Sequence, residues 1–182
     1  MNIHPLFVHF PIGLLVVYAL LEVVIRGRLA SRFPSLVPIK GFLAVMGALA
    51  SYLTVITGEM AEEAIQGTVS IPDQMSRLIE THSAYAVSAT IVFSVLAVAY
   101  LVYFIERTKF ASSAFAVSSP LSPIWRVIQR LSRIMRETAL GPVLALVGLI
   151  LITITGGLGA SIVYGPDIDP FVRFIYTVFF GG

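Results

Sequence analysis

Three histidines are the side chains of this chain with the clearest capacity for chemistry: His4, His9 and His82. The first two lie in HPLFVHFPIG, residues 4–13, at the start of an apolar stretch, and His82 opens another in ETHSAYA. An ionisable side chain near a bilayer is costly unless it is paired, and imidazole is a ligand of haem iron and of divalent metals. The pattern therefore predicts either a ligand site or histidines that are satisfied by hydrogen bonds inside the protein.

The composition places the chain in a bilayer. Hydrophobic residues make up 57% of its 182 residues and charged residues only 12%, whereas soluble domains carry about 25% charged residues. The mean hydropathy is +0.92. The sequence contains no cysteine, which excludes disulfides, thiolate metal sites, iron–sulfur clusters and covalent haem attachment through a CxxCH motif.

Four segments are apolar enough to cross a hydrocarbon core, which takes about 20 helical residues. They lie at approximately 6–25, 41–57, 84–105 and 140–163. These segments predict an all-α fold, a four-transmembrane-helix bundle that forms a single membrane domain over residues 1–182. No catalytic constellation of the hydrolase type accompanies them, so a stand-alone enzyme is the less expected interpretation.

The basic residues predict the orientation of the bundle. Ten of the twelve lysines and arginines fall in the connections between spans one and two and between spans three and four. By the positive-inside rule these connections are cytoplasmic, which places both termini outside the cytoplasm and the protein in the inner (cell) membrane. Because this distribution is a signal of topology, nucleic acid is not expected as a partner.

Two further segments do not span. Residues 122–137 combine helically spaced apolar residues with Arg126, Arg130 and Arg133, which predicts an amphipathic helix on the cytoplasmic leaflet. The tail, residues 170–182, is apolar but too short to cross. It is expected to lie in the outer interface or against a neighbouring subunit.

The four spans bring the histidines together at one end. Spans one and three run in the same direction, so His4 and His9 should lie at the same level as His82. Span two ends in TGE, which brings Glu59 to that level at the start of a loop predicted over residues 58–83. Haem ligation would use His9 and His82 with His4 as a substitute, and a metal site would use His4, His9, His82 and Glu59.

Several of these strings resemble a family of predicted membrane proteins, domain of unknown function 2231. The resemblance covers roughly residues 3–165 and is carried by HP-x-x-VHFP in the first span, His82 opening the third, and VYG at residues 163–165. A fourth motif of the family usually reads G-H-L-G-G, and here Gly157 stands in place of its histidine. The resemblance implies a four-helix membrane protein that looks like a b-type cytochrome and accompanies redox components.

Three functions remain open at this point. The first is a subunit of a respiratory or redox complex that holds one b-type haem near the outer face, with quinone and other subunits as candidate partners beside the lipid bilayer. The second is a site for a divalent metal made of histidine and glutamate. The third is a structural or anchoring subunit without a cofactor.

Overall fold

The computed structural model describes residues 4–66, 71–109 and 120–181, which form helices and no strand. The helices are α1 (His4–Val24), α2 (Gly27–Arg32), α3 (Leu36–Gln66), α4 (Asp73–Glu106), α5 (Ser122–Glu137), α6 (Leu140–Tyr164) and α7 (Pro170–Phe180). Four of these helices, α1, α3, α4 and α6, are long and apolar enough to cross a membrane. The prediction of an all-α bundle with four spans is confirmed.

The four long helices form an antiparallel ring. Helix α1 packs on α3 and α6, and α4 packs on the same two helices, so that α1 and α4 lie diagonally across the bundle and run in the same direction. We call the end with His4 and His82 the histidine end, and the end with Arg26, Lys40, Arg107 and Arg136 the basic end.

Two of the spans are longer than predicted. Helix α3 continues to Gln66 and α4 begins at Asp73, so the loop predicted over residues 58–83 is wrong for most of its length; residues 67–70 lie outside the described residues. Apolar composition marks only the part of a helix that meets lipid. The residues beyond Gly58 are mostly good helix formers, such as Ala, Glu, Met and Gln, and they continue the helix past that boundary.

Small residues let the spans approach each other in the middle of the bundle. Buried alanines such as Ala44, Ala97 and Ala145 surround Tyr18 and Phe93, the largest buried side chains. A Cβ atom added at Gly148 would lie 2.6 Å from the Phe93 ring. Apolar helices gain little by moving from lipid into contact with each other, because both surroundings are apolar. Close van der Waals packing is therefore the main contribution to the stability of the bundle.

Helices α5 and α7 accompany the spans at opposite ends. Helix α5 packs on α4 and α6 at the basic end, and its bounds agree with the predicted amphipathic segment. The tail forms helix α7, whose Asp169 N-cap accepts hydrogen bonds from the amides of Phe171 and Val172. Helix α7 packs on α6 of its own chain, burying Val172 and Ile175.

Candidate functional site

His82 is held at the histidine end by the main chain of α6. Its Nδ1 atom lies 3.0 Å from the carbonyl oxygen of Thr155. Because a carbonyl oxygen can only accept, Nδ1 carries the proton, and in a neutral imidazole the lone pair then lies on Nε2. Gly159 makes this contact possible, since a Cβ atom at that position would lie 3.0 Å from Cε1 of the ring.

His4 is held in a comparable way by α3. Its Nδ1 atom lies 3.1 Å from the hydroxyl oxygen of Thr57. That hydroxyl donates to the carbonyl of Thr54, so its oxygen can accept from Nδ1 of His4, and the ring also bonds to the backbone of Thr54. The ring packs on Gly58, where an added Cβ atom would lie 3.1 Å from Cε1.

His4 and His82 therefore form the histidine pair of the structure. They lie on the diagonal helices α1 and α4, near enough that a charge on His4 would act on His82. Both are partly buried. The Nδ1 atom of His4 bonds to α3, and that of His82 bonds to α6. Bonds of this kind fix the tautomer and orientation of a ligating histidine in proteins.

His9, predicted as a haem ligand together with His82, lies outside this pair. It is exposed, and its Nδ1 atom bonds to the carbonyl oxygen of Pro5 in its own helix at 2.9 Å. Helix α1 continues through Pro11 without a break. Residues five positions apart on a continuous helix point about 140° away from each other, so His4 and His9 cannot both face the interior.

Glu59, the carboxylate predicted to join a metal site, is also exposed. Within residues 4–66, 71–109 and 120–181, no three His, Cys, Asp or Glu side chains are grouped as a metal site would require. The structure brings His4 and His82 together and leaves His9 and Glu59 on the outside.

The basic end holds a buried ionic cluster that the sequence analysis did not find. Glu22 and Lys40 are only 1% and 4% exposed, and their charged atoms, Oε2 and Nζ, lie 3.0 Å apart. The Tyr100 hydroxyl donates to the same carboxylate oxygen at 2.6 Å. Lys40 also donates to the carbonyl of Ile25. One carboxylate thus joins α1, α3 and α4.

Tyr18 completes this cluster. Its side chain is 0% exposed, and its hydroxyl lies near the Glu22 carboxylate but forms no hydrogen bond of good geometry among the described residues. Its ring contacts those of Phe93 and Tyr100 edge to face, with centroids 6.2 and 6.0 Å away. Tyr18 and Glu22 are four residues apart, so they occupy one face of α1, and that spacing was the signal available in the sequence. Lys40 was missed because the second span was predicted to begin at residue 41.

The sequence matches one family, described as a predicted membrane protein (DUF2231), over residues 1–119. This is well over half of the chain. The protein belongs to that family. No curated protein and no solved structure matches it. The histidine pair, Thr57 and the ionic cluster at the basic end all lie within the matched residues.

The fourth motif of the resemblance lies beyond the matched residues of this DUF2231 protein. Gly157, which stands where that motif has a histidine, is buried against helix α7. A Cβ atom added there would lie 2.9 Å from Cγ1 of Ile175. The space beside α6 at this position is therefore filled by the tail helix.

Proposed function

We propose that this DUF2231 protein is an electron-transfer subunit of a membrane redox assembly that holds one b-type haem at the histidine end, with His4 and His82 as its axial ligands. The observation that carries the proposal is the matched anchoring of the two imidazoles. Both rings bond through Nδ1 to groups of a neighbouring helix, and an imidazole protonated at Nδ1 has its lone pair on Nε2, the atom that ligates haem iron in such arrangements.

The residues at this end fit the donor set of such a haem. Two imidazoles from different helices lie at a common level and interact with each other, whereas His9 faces outward and bonds to its own helix. The haem would supply a one-electron carrier. A single carrier requires an external donor and acceptor, and quinol and partner subunits are the proposed sources.

An optical spectrum tests the proposal. The protein is produced with excess haem, purified in detergent, and compared in the reduced and oxidised states. We expect an α-band typical of b-type haem that is lost in His4→Ala and in His82→Ala. The matched control is His9→Ala, which should keep the band, because His9 lies outside the pair. A protein without the band, or a band that both variants retain, would contradict the proposal.

A second candidate is a cofactor-free anchoring subunit, and the same hydrogen bonds favour it. The imidazoles already bond to Thr57 and Thr155, as histidines do when they only join helices. In this case His4→Ala and His82→Ala would leave the activity of the parent complex unchanged, while deletion of α7 would release subunits from it. Elemental analysis of the same preparations distinguishes both candidates from a histidine–glutamate metal site.

The proposed orientation places the histidine end outside the cytoplasm. The chain contains no cysteine, so single cysteines can report it without background. Glu59→Cys, at the histidine end, should react with a membrane-impermeant maleimide in intact cells. Arg28→Cys, in α2 at the basic end, should react only after the cells are opened. The reverse labelling pattern would show that the histidine end faces the cytoplasm.

A further inference from the structure

Helix α5 has three distinct faces. One face packs on the bundle through Ser122 and Ser132, which are buried. A second carries Arg126, Arg130 and Arg133, all exposed. The third carries an apolar stripe, formed by Ile124, Val127, Ile128, Leu131 and Ile134. A membrane-surface helix that lay free of the protein would show only two of these faces.

The bundle face fixes the position of α5. The Ser132 hydroxyl donates to the carbonyl of Ala99 at 2.8 Å inside the protein. Ala99 lies seven residues before the end of α4, which is about 10 Å along the helix axis. Helix α5 therefore lies beside the last turns of a span, at the level where acyl chains meet headgroups, and not beyond the end of the bundle.

Arg136 differs from the other arginines of α5. It lies 3.8 Å from the carboxylate of Glu106 and packs over the ring of Tyr103, 4.7 Å from its centroid. Its side chain therefore belongs to the packing of the bundle. The exposed arginines 126, 130 and 133 are the ones that can meet a ligand outside the protein.

The apolar stripe continues the lipid-facing surface of the spans. Its side chains are between 37% and 61% exposed. Exposed apolar residues of the neighbouring helices, Leu101 of α4 and Leu140 and Val143 of α6, lie in the same range. Because those spans contact lipid, the stripe most simply meets the acyl chains of the same leaflet.

We propose that α5 binds anionic phospholipid, with the acyl chains against the apolar stripe and the headgroup phosphates against Arg126, Arg130 and Arg133. A zwitterionic lipid would satisfy the stripe but not the three adjacent arginines. An acidic protein would satisfy the arginines but would also have to cover apolar surface at membrane depth. Anionic lipid matches both faces at once.

Trp125, the only tryptophan of the chain, lies half-buried on α5, so bromine in the acyl chains around this helix can quench it. The protein is reconstituted in mixed vesicles of phosphatidylcholine and phosphatidylglycerol, with bromine in the acyl chains of one lipid or the other. An arginine near an anionic surface adds about 1 kcal/mol, which is roughly fivefold in binding. Since even one of the three arginines supplies this factor, we expect brominated phosphatidylglycerol to quench Trp125 at roughly one-fifth or less of the concentration that brominated phosphatidylcholine requires.

The variant R126Q/R130Q/R133Q should quench equally with both lipids, and high salt should reduce the difference in the wild-type protein. Arg173→Gln is the matched control, since Arg173 lies on α7 at the other end and pairs with Asp167; it should keep the preference. Equal quenching in the wild-type protein overturns the proposal. In the variant W125F/L131W, whose single tryptophan lies on the stripe, absence of quenching by either lipid also overturns the proposal, because the stripe would then be covered by protein.

Discussion

At the histidine end, imidazoles bond to a threonine hydroxyl and a main-chain carbonyl, whereas at the basic end a carboxylate and an ammonium group meet inside the bundle. The first arrangement fixes orientation without burying a full charge. The second buries two charges, and each depends on the other for its compensation. The two ends should therefore respond differently to the loss of one partner.

The largest effect is expected from Lys40→Met. This change leaves Glu22 buried without its cation, which costs about 3–5 kcal/mol of unfolding free energy. The thermal unfolding midpoint in one detergent measures it. The double variant E22Q/K40M should recover most of the loss, since it removes both charges. A double variant no more stable than Lys40→Met would show that the ion pair is not the source.

Tyr100→Phe should have an intermediate effect. It removes the hydrogen bond to the Glu22 carboxylate, and bonds to charged groups contribute about 1.5–3 kcal/mol. The same unfolding measurement applies. Tyr52→Phe is the control, because its hydroxyl bonds to Ser94 near the bundle surface. Equal losses in both variants would contradict a special role for the charged acceptor.

His82→Phe should cost less, about 1 kcal/mol, because the bond that it loses joins uncharged groups. His9→Phe, on the exposed side of α1, should leave the unfolding midpoint unchanged in the protein without haem. If the His82 variant were as costly as Lys40→Met, the contrast between the two ends would fail.

Tyr18→Phe should give the smallest change, and in the opposite direction. The hydroxyl is buried near the Glu22 carboxylate without a hydrogen bond of good geometry among the described residues, so its removal should leave the protein equally stable or more stable, by about 1 kcal/mol at most. A clear loss of stability would indicate that a bound water bridges this hydroxyl to the cluster.

The four spans were predictable because lipid imposes both their length and their apolar composition. The ends of α3 and α4 at the histidine end were not predictable, because a polar helix that extends into water has the same low hydropathy as a loop. That His4 and His82 lie at the same end of the bundle followed from helix direction alone. Whether His4 or His9 faces the interior of the bundle depends on whether α1 stays helical through Pro11, and a hydropathy profile does not show this. Glu22 and Lys40 could be paired only once Lys40 was placed inside a helix.

The unequal lengths of the spans have a consequence for the histidine end. Helix α1 has 21 residues, about 32 Å, and just covers a hydrocarbon core, whereas α4 has 34. The Glu22–Lys40 pair aligns α1 with α3 at the basic end, so the additional length of the longer helices lies at the histidine end. Helices α3 and α4 each continue nine residues past Thr57 and His82. These two extensions form a ridge of two helices that extends about 14 Å beyond the imidazoles. A water-soluble molecule must pass beside this ridge to reach the imidazoles.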